Sequence, residues 1–171
     1  MSELFNLKVS PTVLEVDFRD LEKVARKILD VNKGNVIFSG SFALKLQNVS
    51  LRRSPADLDV YLVPNTLFVR PEGVEKTDDY DWIDSEECGY ENSEERNFDI
   101  HAYDVDGIKV DVFTPNNLTV FTKHQIVTRN GLPLLKYSEI IKFKIEHANG
   151  TAFSRFKHRN DIIHMMVNIQ D

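Results

Sequence analysis

The feature that most constrains the fold is the Asp106-Gly107 pair, which lies between two β-prone runs, Asn97–Val105 and Ile108–Phe113. An Asp-Gly pair between alternating runs is a strong signal for a tight β-hairpin. We therefore predict an antiparallel pair of strands here. The second run alternates, so one of its faces is expected to be apolar and the other to carry Asp111.

The remaining periodicity predicts helices at the two ends of the chain and strands between them. The predicted helices are Asp17–Val31, Phe42–Leu46, Pro133–Ala148 and Phe153–Ile169, and the other predicted strands are Asn35–Phe38, Leu58–Val63 and Thr66–Arg70. The apolar face of the third helix would hold Leu134, Tyr137, Ile141, Ile145 and Ala148. We expect an α+β fold, a mixed β-sheet with flanking helices and a helical C-terminal third. Residues 1–128 would form the core, with an acidic insertion at 64–97, and residues 129–171 would pack on it as a helical part.

Charge is distributed unevenly over the 171 residues. The net charge is −6, yet residues 71–106 hold 14 acidic and 2 basic side chains, and residues 121–171 hold 8 basic and 4 acidic ones. The overall charge argues against a protein that coats nucleic acid, whereas the basic C-terminal third permits binding to phosphates. The single cysteine, Cys88, excludes an internal disulfide framework and a cysteine zinc cage. Because no signal peptide or membrane span is evident, we expect a cytoplasmic protein without a membrane partner.

Two motifs in the first half suggest phosphate and metal chemistry. In VIFSGSFALKL, Gly40 and Ser41 lie between a predicted strand and a helix, where a backbone can approach an anion closely. Asp57 and Asp59 are two residues apart at the start of a strand, so both side chains project from one face. Two neighbouring carboxylates repel each other, and Mg²⁺ relieves this while binding substrate phosphate oxygens. The alternative is a plain turn followed by two solvated aspartates.

Asp111 is the candidate third acid, because it lies inside an apolar strand and is flanked by Lys109 and Phe113. If its strand neighbours that of Asp57 and Asp59, the three carboxylates could form a two-metal site for in-line phosphoryl displacement. The third carboxylate could also accept the proton of an attacking hydroxyl group.

Together, Gly40-Ser41, Asp57-x-Asp59 and Asp111 resemble the motifs of the nucleotidyltransferase superfamily of the DNA polymerase β type. Gly40–Leu44 and Arg53–Asp59 look most like the minimal bacterial and phage members, above all the AbiEii-type toxins of toxin–antitoxin systems. The resemblance spans about residues 35–63, 98–113 and 134–165. Asp99 and Asp104 are alternatives to Asp111 as the third acid.

The resemblance implies a role for each motif. Asp57, Asp59 and Asp111 would bind Mg²⁺, or Mn²⁺ in its place, and catalyse transfer of a nucleoside monophosphate from an NTP to an acceptor hydroxyl group. The acceptor would be a tRNA or other RNA 3′ end, or a protein side chain, and an antitoxin-like partner would fit a toxin. Nucleotide-binding residues would be Gly40, Ser41, Arg53, Lys144, Arg155 and Lys157. Asp161 is the acid that would orient the basic groups, and its helical spacing alone favours pairing with Lys157 or His158.

Two other functions remain open at this point. One is a catalytically silent nucleotide- or partner-binding domain of the same fold. The other is an interaction protein that uses the acidic segment 71–106 as its docking site, with Asp57 and Asp59 as ordinary surface acids.

Overall fold

Four helices and seven strands occur in the residues that the computed structural model describes, which are 16–74, 76–77, 98–115, 121–149 and 154–168. Most of the acidic insertion, including Cys88, lies outside these residues. The helices are α1 (Phe18–Val31), α2 (Gly40–Leu46), α3 (Tyr137–Asn149) and α4 (Ser154–Asn168). The strands are β1 (Val36–Ser39), β2 (Leu58–Leu62), β3 (Lys76–Thr77), β4 (Phe98–Val105), β5 (Ile108–Pro115), β6 (Ile126–Arg129) and β7 (Leu132–Leu135).

The strands form one mixed sheet in the order β3-β4-β5-β2-β1-β7-β6. Strand β2 lies near the middle, antiparallel to β1 and parallel to β5. Strand β7 runs parallel to β1 on its other side. The expected α+β class, with a mixed sheet, flanking helices and helices near the C-terminus, is thus confirmed.

Asp17 caps the N-terminus of helix α1. The Asp17 carboxylate accepts a hydrogen bond of 2.9 Å from the backbone N–H of Arg19, which satisfies one donor of the first turn. Leu21, Val24, Ala25 and Ile28 recur at the spacing of one helix face, and all four are buried. Gly34 follows the helix with a φ of +80°, a conformation that glycine adopts without strain.

The predicted hairpin at Asp106-Gly107 is confirmed, and the structure contains a second one. Val105 pairs with Ile108 across the first turn, whose two central residues have φ values of 54° and 81°. The second hairpin joins β6 to β7 through Asn130 and Gly131, with φ values of 50° and 75°. Positive φ at both central residues is the geometry that Asn-Gly and Asp-Gly pairs favour.

The helix predicted over Pro133–Ala148 begins later than expected, at Tyr137, because Leu132–Leu135 forms strand β7. The predicted apolar face is confirmed only in part: Leu134 and Ala148 are buried, whereas Tyr137 and Ile145 are 52% and 44% exposed. Side chains that α3 buries are Ile140, Lys144 and Ala148. A short run of buried residues fits a strand as well as a helix, and pairing with β1 decides between them. The division expected between residues 128 and 129 falls inside β6.

Residues 66–70 do not form the predicted strand. The side-chain amide of Asn32 instead binds the backbone of Val69 on both sides, donating to its C=O at 3.0 Å and accepting from its N–H at 2.8 Å. Asn32 is buried at the end of α1, so these bonds hold the segment against the helix. The segment therefore satisfies its backbone without joining the sheet.

The helices cover both faces of the sheet. Aromatic contacts join Phe18 of α1, Phe42 of α2 and Phe38 of β1 on one face. On the other face, Tyr61 of β2 stacks on Phe143 of α3 at 6.0 Å between ring centroids. Asp59 is two residues before Tyr61 in β2, so its side chain lies on the same face of the sheet and points toward α3 and α4. Among the described residues, none of the helices has the length and apolar character needed to cross a bilayer.

Candidate functional site

The sheet register places two of the predicted acids side by side. Asp59 of β2 is directly opposite Asp111 of β5, and its other neighbour is Ser39, the last residue of β1. Directly paired residues of adjacent strands point to the same face of the sheet, and the strands are about 4.8 Å apart, so the two carboxylates are neighbours on one face. Of the alternatives for the third acid, Asp99 pairs with Thr114 and Asp104 with Lys109, so Asp111 is the one beside Asp59. Asp57 lies two residues before Asp59 and is half-buried like it.

Gly40 begins α2 against the Asp59 carboxylate. A Cβ atom built on Gly40 would overlap Oδ2 of Asp59 and would lie 2.9 Å from its Cγ. The φ of Gly40 is +67°, in the left-handed region. Glycine is therefore required here for two reasons, the close approach of Asp59 and the backbone conformation.

The electrostatics of this carboxylate cluster, Asp57, Asp59 and Asp111, favour a bound cation. Burial and then the charges of Asp57 and Asp111 raise the pKa of the Asp59 carboxyl group to about 7. Lys157 and Lys144 act in the opposite direction but do not cancel this effect. Burial and the neighbouring carboxylates thus both disfavour a charged Asp59, and a cation bound beside it would favour the charged form.

Lys109 is a charged neighbour of the cluster and was not among the predicted site residues. Its Nζ lies 3.2 Å from Oδ2 of Asp111. The two residues are two positions apart in β5 and share a face. That period of two in the sequence was the signal that would have placed Lys109 in the site.

Three of the predicted residues, Arg53, Lys144 and Asp161, form an ion-pair network close to the carboxylate cluster. Oδ2 of Asp161 accepts hydrogen bonds from Nζ of Lys144 at 2.8 Å and from Nη2 of Arg53 at 3.0 Å. The Lys144 and Asp161 side chains are 5% and 2% exposed. The acid of the C-terminal pattern therefore binds Lys144 and Arg53, rather than Lys157 four residues before it.

Burial and hydrogen bonding act in opposite directions on the pKa values of this network. Burial lowers the pKa of the Lys144 ammonium group, although Asp161 acts to raise it. Burial alone would raise the pKa of Asp161, but the hydrogen bonds and charges of Lys144 and Arg53 outweigh it, and the pKa is lowered. The negative charge of Asp59 also favours a charged Lys144, which links the network to the carboxylate cluster.

A cavity of about 400 Å³ opens between α2 and the segment that leads to β2. Its lining includes Ser41 and Arg53, two of the predicted nucleotide-binding residues, together with Lys45. Further hydroxyl and amide groups come from Asn48, Ser50 and Ser54, and no carboxylate among the described residues lines it. Two cations and several neutral donors suit an anion such as a phosphate chain.

The two remaining predicted residues lie on α4. Lys157 is exposed and acts on Asp59 through its charge. Arg155 belongs to the same helix, but its side chain lies outside the described part of the chain.

The carboxylates fit a divalent cation that shares its ligands with a substrate. Within the described ranges, no three His, Cys, Asp or Glu side chains stand close enough together to hold a metal ion by themselves. Mg²⁺, however, usually takes one or two carboxylates and completes its coordination with water and substrate phosphate oxygens. Asp59 and Asp111, with Asp57 beside them, match that donor set.

Comparison with known proteins gives distant matches in structure only. No family model matches the chain, and no curated protein matches it. Among solved structures, a "putative nucleotidyltransferase" from Thermotoga maritima is 16% identical, with a TM-score of 0.49, 91% of this chain covered and 97% of that one. JHP933 from Helicobacter pylori is 16% identical with a TM-score of 0.44, and a "putative nucleotidyltransferase" from H. pylori is 15% identical with a TM-score of 0.43. In both cases 75% of this chain is covered, and it spans 56% of the length of the Helicobacter chain.

Proposed function

We propose that this protein is a Mg²⁺-dependent nucleotidyltransferase that moves a nucleoside monophosphate from an NTP to an acceptor hydroxyl group. The observation that carries the proposal is the direct register of Asp59 with Asp111, next to the Gly40-Ser41 turn. The cation-lined cavity that begins at Ser41 supports a phosphate chain beside these carboxylates. The raised pKa of Asp59 supports a cation at the same place.

In this reaction the chain mainly positions and neutralises its substrates. Ser41 and Arg53 would bind the phosphates in the cavity they line, Arg53 through the guanidinium edge that Asp161 does not engage. Asp111 would accept the proton of the acceptor hydroxyl as its oxygen attacks the α-phosphorus and pyrophosphate leaves. Lys144 would add positive charge close to Asp59. Mg²⁺, held by the carboxylates, would neutralise phosphate charge and align the phosphates.

The charge of the two C-terminal helices bears on which acceptor the enzyme would use. The basic residues of α3 and α4 support an acceptor that carries phosphates, such as a tRNA 3′ end, over a protein hydroxyl group. The sequence resemblance to AbiEii-type toxins supports a toxin-type enzyme with an antitoxin-like partner.

A label-transfer assay tests the proposal. The protein is incubated with each α-³²P-labelled NTP, Mg²⁺, and total RNA or cell lysate, beside an Asp59→Asn variant. Asp99→Asn is the matched control, because it removes an exposed carboxylate of the same sheet that does not face Asp59. We expect the wild type and the control to transfer label, and Asp59→Asn to lose at least about a hundredfold of that rate.

The proposal fails if no NTP labels RNA or protein in either pool. A thermal shift then separates the two remaining functions, because a ligand that binds the native state must raise its melting temperature. A rise with NTP and Mg²⁺ that Asp59→Asn abolishes would indicate a silent nucleotide-binding domain. No rise would favour an interaction protein.

A further inference from the structure

We propose that the ammonium group of Lys109 takes the place of a second metal ion, so that the carboxylate cluster binds one divalent cation instead of two. This inference rests on the proposed function, since it concerns the same metal site. It replaces the two-metal arrangement that three neighbouring acids alone would suggest.

The position of Lys109 in the sheet carries the inference. Its Nζ lies 3.2 Å from Oδ2 of Asp111, whose carboxylate is only 11% exposed. Lys109 is two residues before Asp111 in β5, and Asp111 pairs with Asp59, so all three side chains lie on the same face of the sheet. The lysine is therefore beside Asp111 on its own strand and one strand away from Asp59.

An ammonium group at this position excludes a second divalent ion for a steric and an electrostatic reason. Two-metal sites hold their ions about 3.5–4 Å apart and use both oxygens of a bridging carboxylate. One oxygen of Asp111 already bears a cation at hydrogen-bonding distance. A second metal ion would have to displace the ammonium group and would be repelled by it at short range.

The remaining donors match a single ion. Asp59, the other oxygen of Asp111 and substrate phosphate oxygens form the ligand set that one Mg²⁺ commonly uses. The described residues supply no group of three acids or histidines able to hold an ion unaided, which also favours one shared site. Lys109 would then provide fixed positive charge on the Asp111 side, where the acceptor hydroxyl loses its proton.

Counting bound Mn²⁺ by electron paramagnetic resonance tests this without any turnover. Mn²⁺ is titrated into wild type, Lys109→Met and Lys109→Gln with a saturating mixture of α,β-methylene NTPs, whose phosphates complete the ligand set, and the ions retained with the protein on ultrafiltration are counted as the excess over Asp59→Asn/Asp111→Asn. That reference removes the site and retains the acidic segment 71–106, so weak binding there is subtracted. Lys27→Met is the matched control, because it removes the lysine of another Lys–Asp pair at 3.2 Å, with Asp106, that lies outside the cluster.

We expect one bound Mn²⁺ for wild type and for Lys27→Met, and two for both Lys109 variants. Circular dichroism verifies that each variant is folded, and two different substitutions guard against a single misfolded one. Two ions on the wild type, or one on the Lys109 variants, would overturn the inference and leave the proposed function standing. No bound ion on any of these proteins would overturn the inference and the proposed metal site together.

Discussion

The buried network around Asp161 makes a quantitative stability prediction. Asp161→Asn would leave the Lys144 ammonium group, which is 5% exposed, without a counter-charge and next to the Arg53 cation. Breaking a buried ion pair by removing one partner costs about 3–5 kcal/mol. In a chain of 150–250 residues each kcal/mol lowers the melting temperature by about 2–4 °C. We therefore expect the variant to melt about 6–20 °C below the wild type.

Urea denaturation at pH 7, followed by circular dichroism, measures this difference in the free energy of unfolding. Glu139→Gln is a matched control, because its partner at 3.1 Å, Lys142, is 67% exposed and is solvated when the pair is broken, so the change should cost less than about 1 kcal/mol. Replacing both buried partners, as in Lys144→Met/Asp161→Leu, should recover most of the loss. If Asp161→Asn unfolded within about 1 kcal/mol of the wild type, the network would be solvated and the reasoning wrong.

The difference in the free energy of unfolding between wild type and Asp161→Asn should shrink at acid pH. The pKa of Asp161 is lowered in the folded state, so the carboxylate stabilises the protein above its unfolded pKa of about 3.9. That contribution is lost as the pH falls through the lower, folded pKa. The gap between wild type and Asp161→Asn should therefore stay constant from about pH 7 to 5 and narrow below about pH 4. A gap that did not change with pH in the acid range would show that the charge of Asp161 is not its source.

Three further substitutions test local features. Gly40→Ala forces a Cβ onto the Asp59 carboxylate and should lower the free energy of unfolding by about 1–2 kcal/mol from the backbone alone. It should also weaken Mn²⁺ binding, and a variant that bound Mn²⁺ normally would contradict the close approach of Asp59 to Gly40. Asn32→Leu removes both hydrogen bonds to Val69 and should cost about 1–3 kcal/mol, with faster hydrogen exchange at the Val69 amide as the specific readout. Gly131→Ala strains the turn between β6 and β7 and should lower the free energy of unfolding by about 1–2 kcal/mol; no loss would contradict the positive φ.

The sequence predicts the features that depend on neighbours in the chain. The Asp106-Gly107 turn and the buried face of α1 follow from local backbone preferences and periodicity. The period of two in a strand applies to Asp59 but not to Asp57, because β2 begins only at Leu58. The Asn130-Gly131 pair carries the same turn signal as Asp106-Gly107. The spacing of Leu134 and the residues after it, however, also fits a helix, and that pattern favoured the wrong element.

Features that depend on distant pairing could not be predicted in the same way. Leu134 pairs locally with Val127 across the β6–β7 turn, but its place beside Phe38 joins it to a residue almost a hundred positions earlier, and nothing in its own vicinity encodes that contact. The burial of Lys144 on α3 was unexpected for a lysine, since it depends on Asp161, 17 residues later on another helix. Local patterns fix which residues share a face, whereas the partner of that face is a property of the whole fold.

The two parallel pairings of the sheet have a consequence for how the chain folds. Both tight hairpins close through two-residue turns, so they can form on the microsecond scale. The β2–β5 pairing, by contrast, joins Asp59 to a residue 52 positions away, and such long closures are slow. Repulsion between the two carboxylates therefore enters late in folding, when most of the stabilising contacts already exist. Pulse-labelled hydrogen exchange should accordingly protect hairpin amides before those of β2, and simultaneous protection would show that the sheet forms in one step.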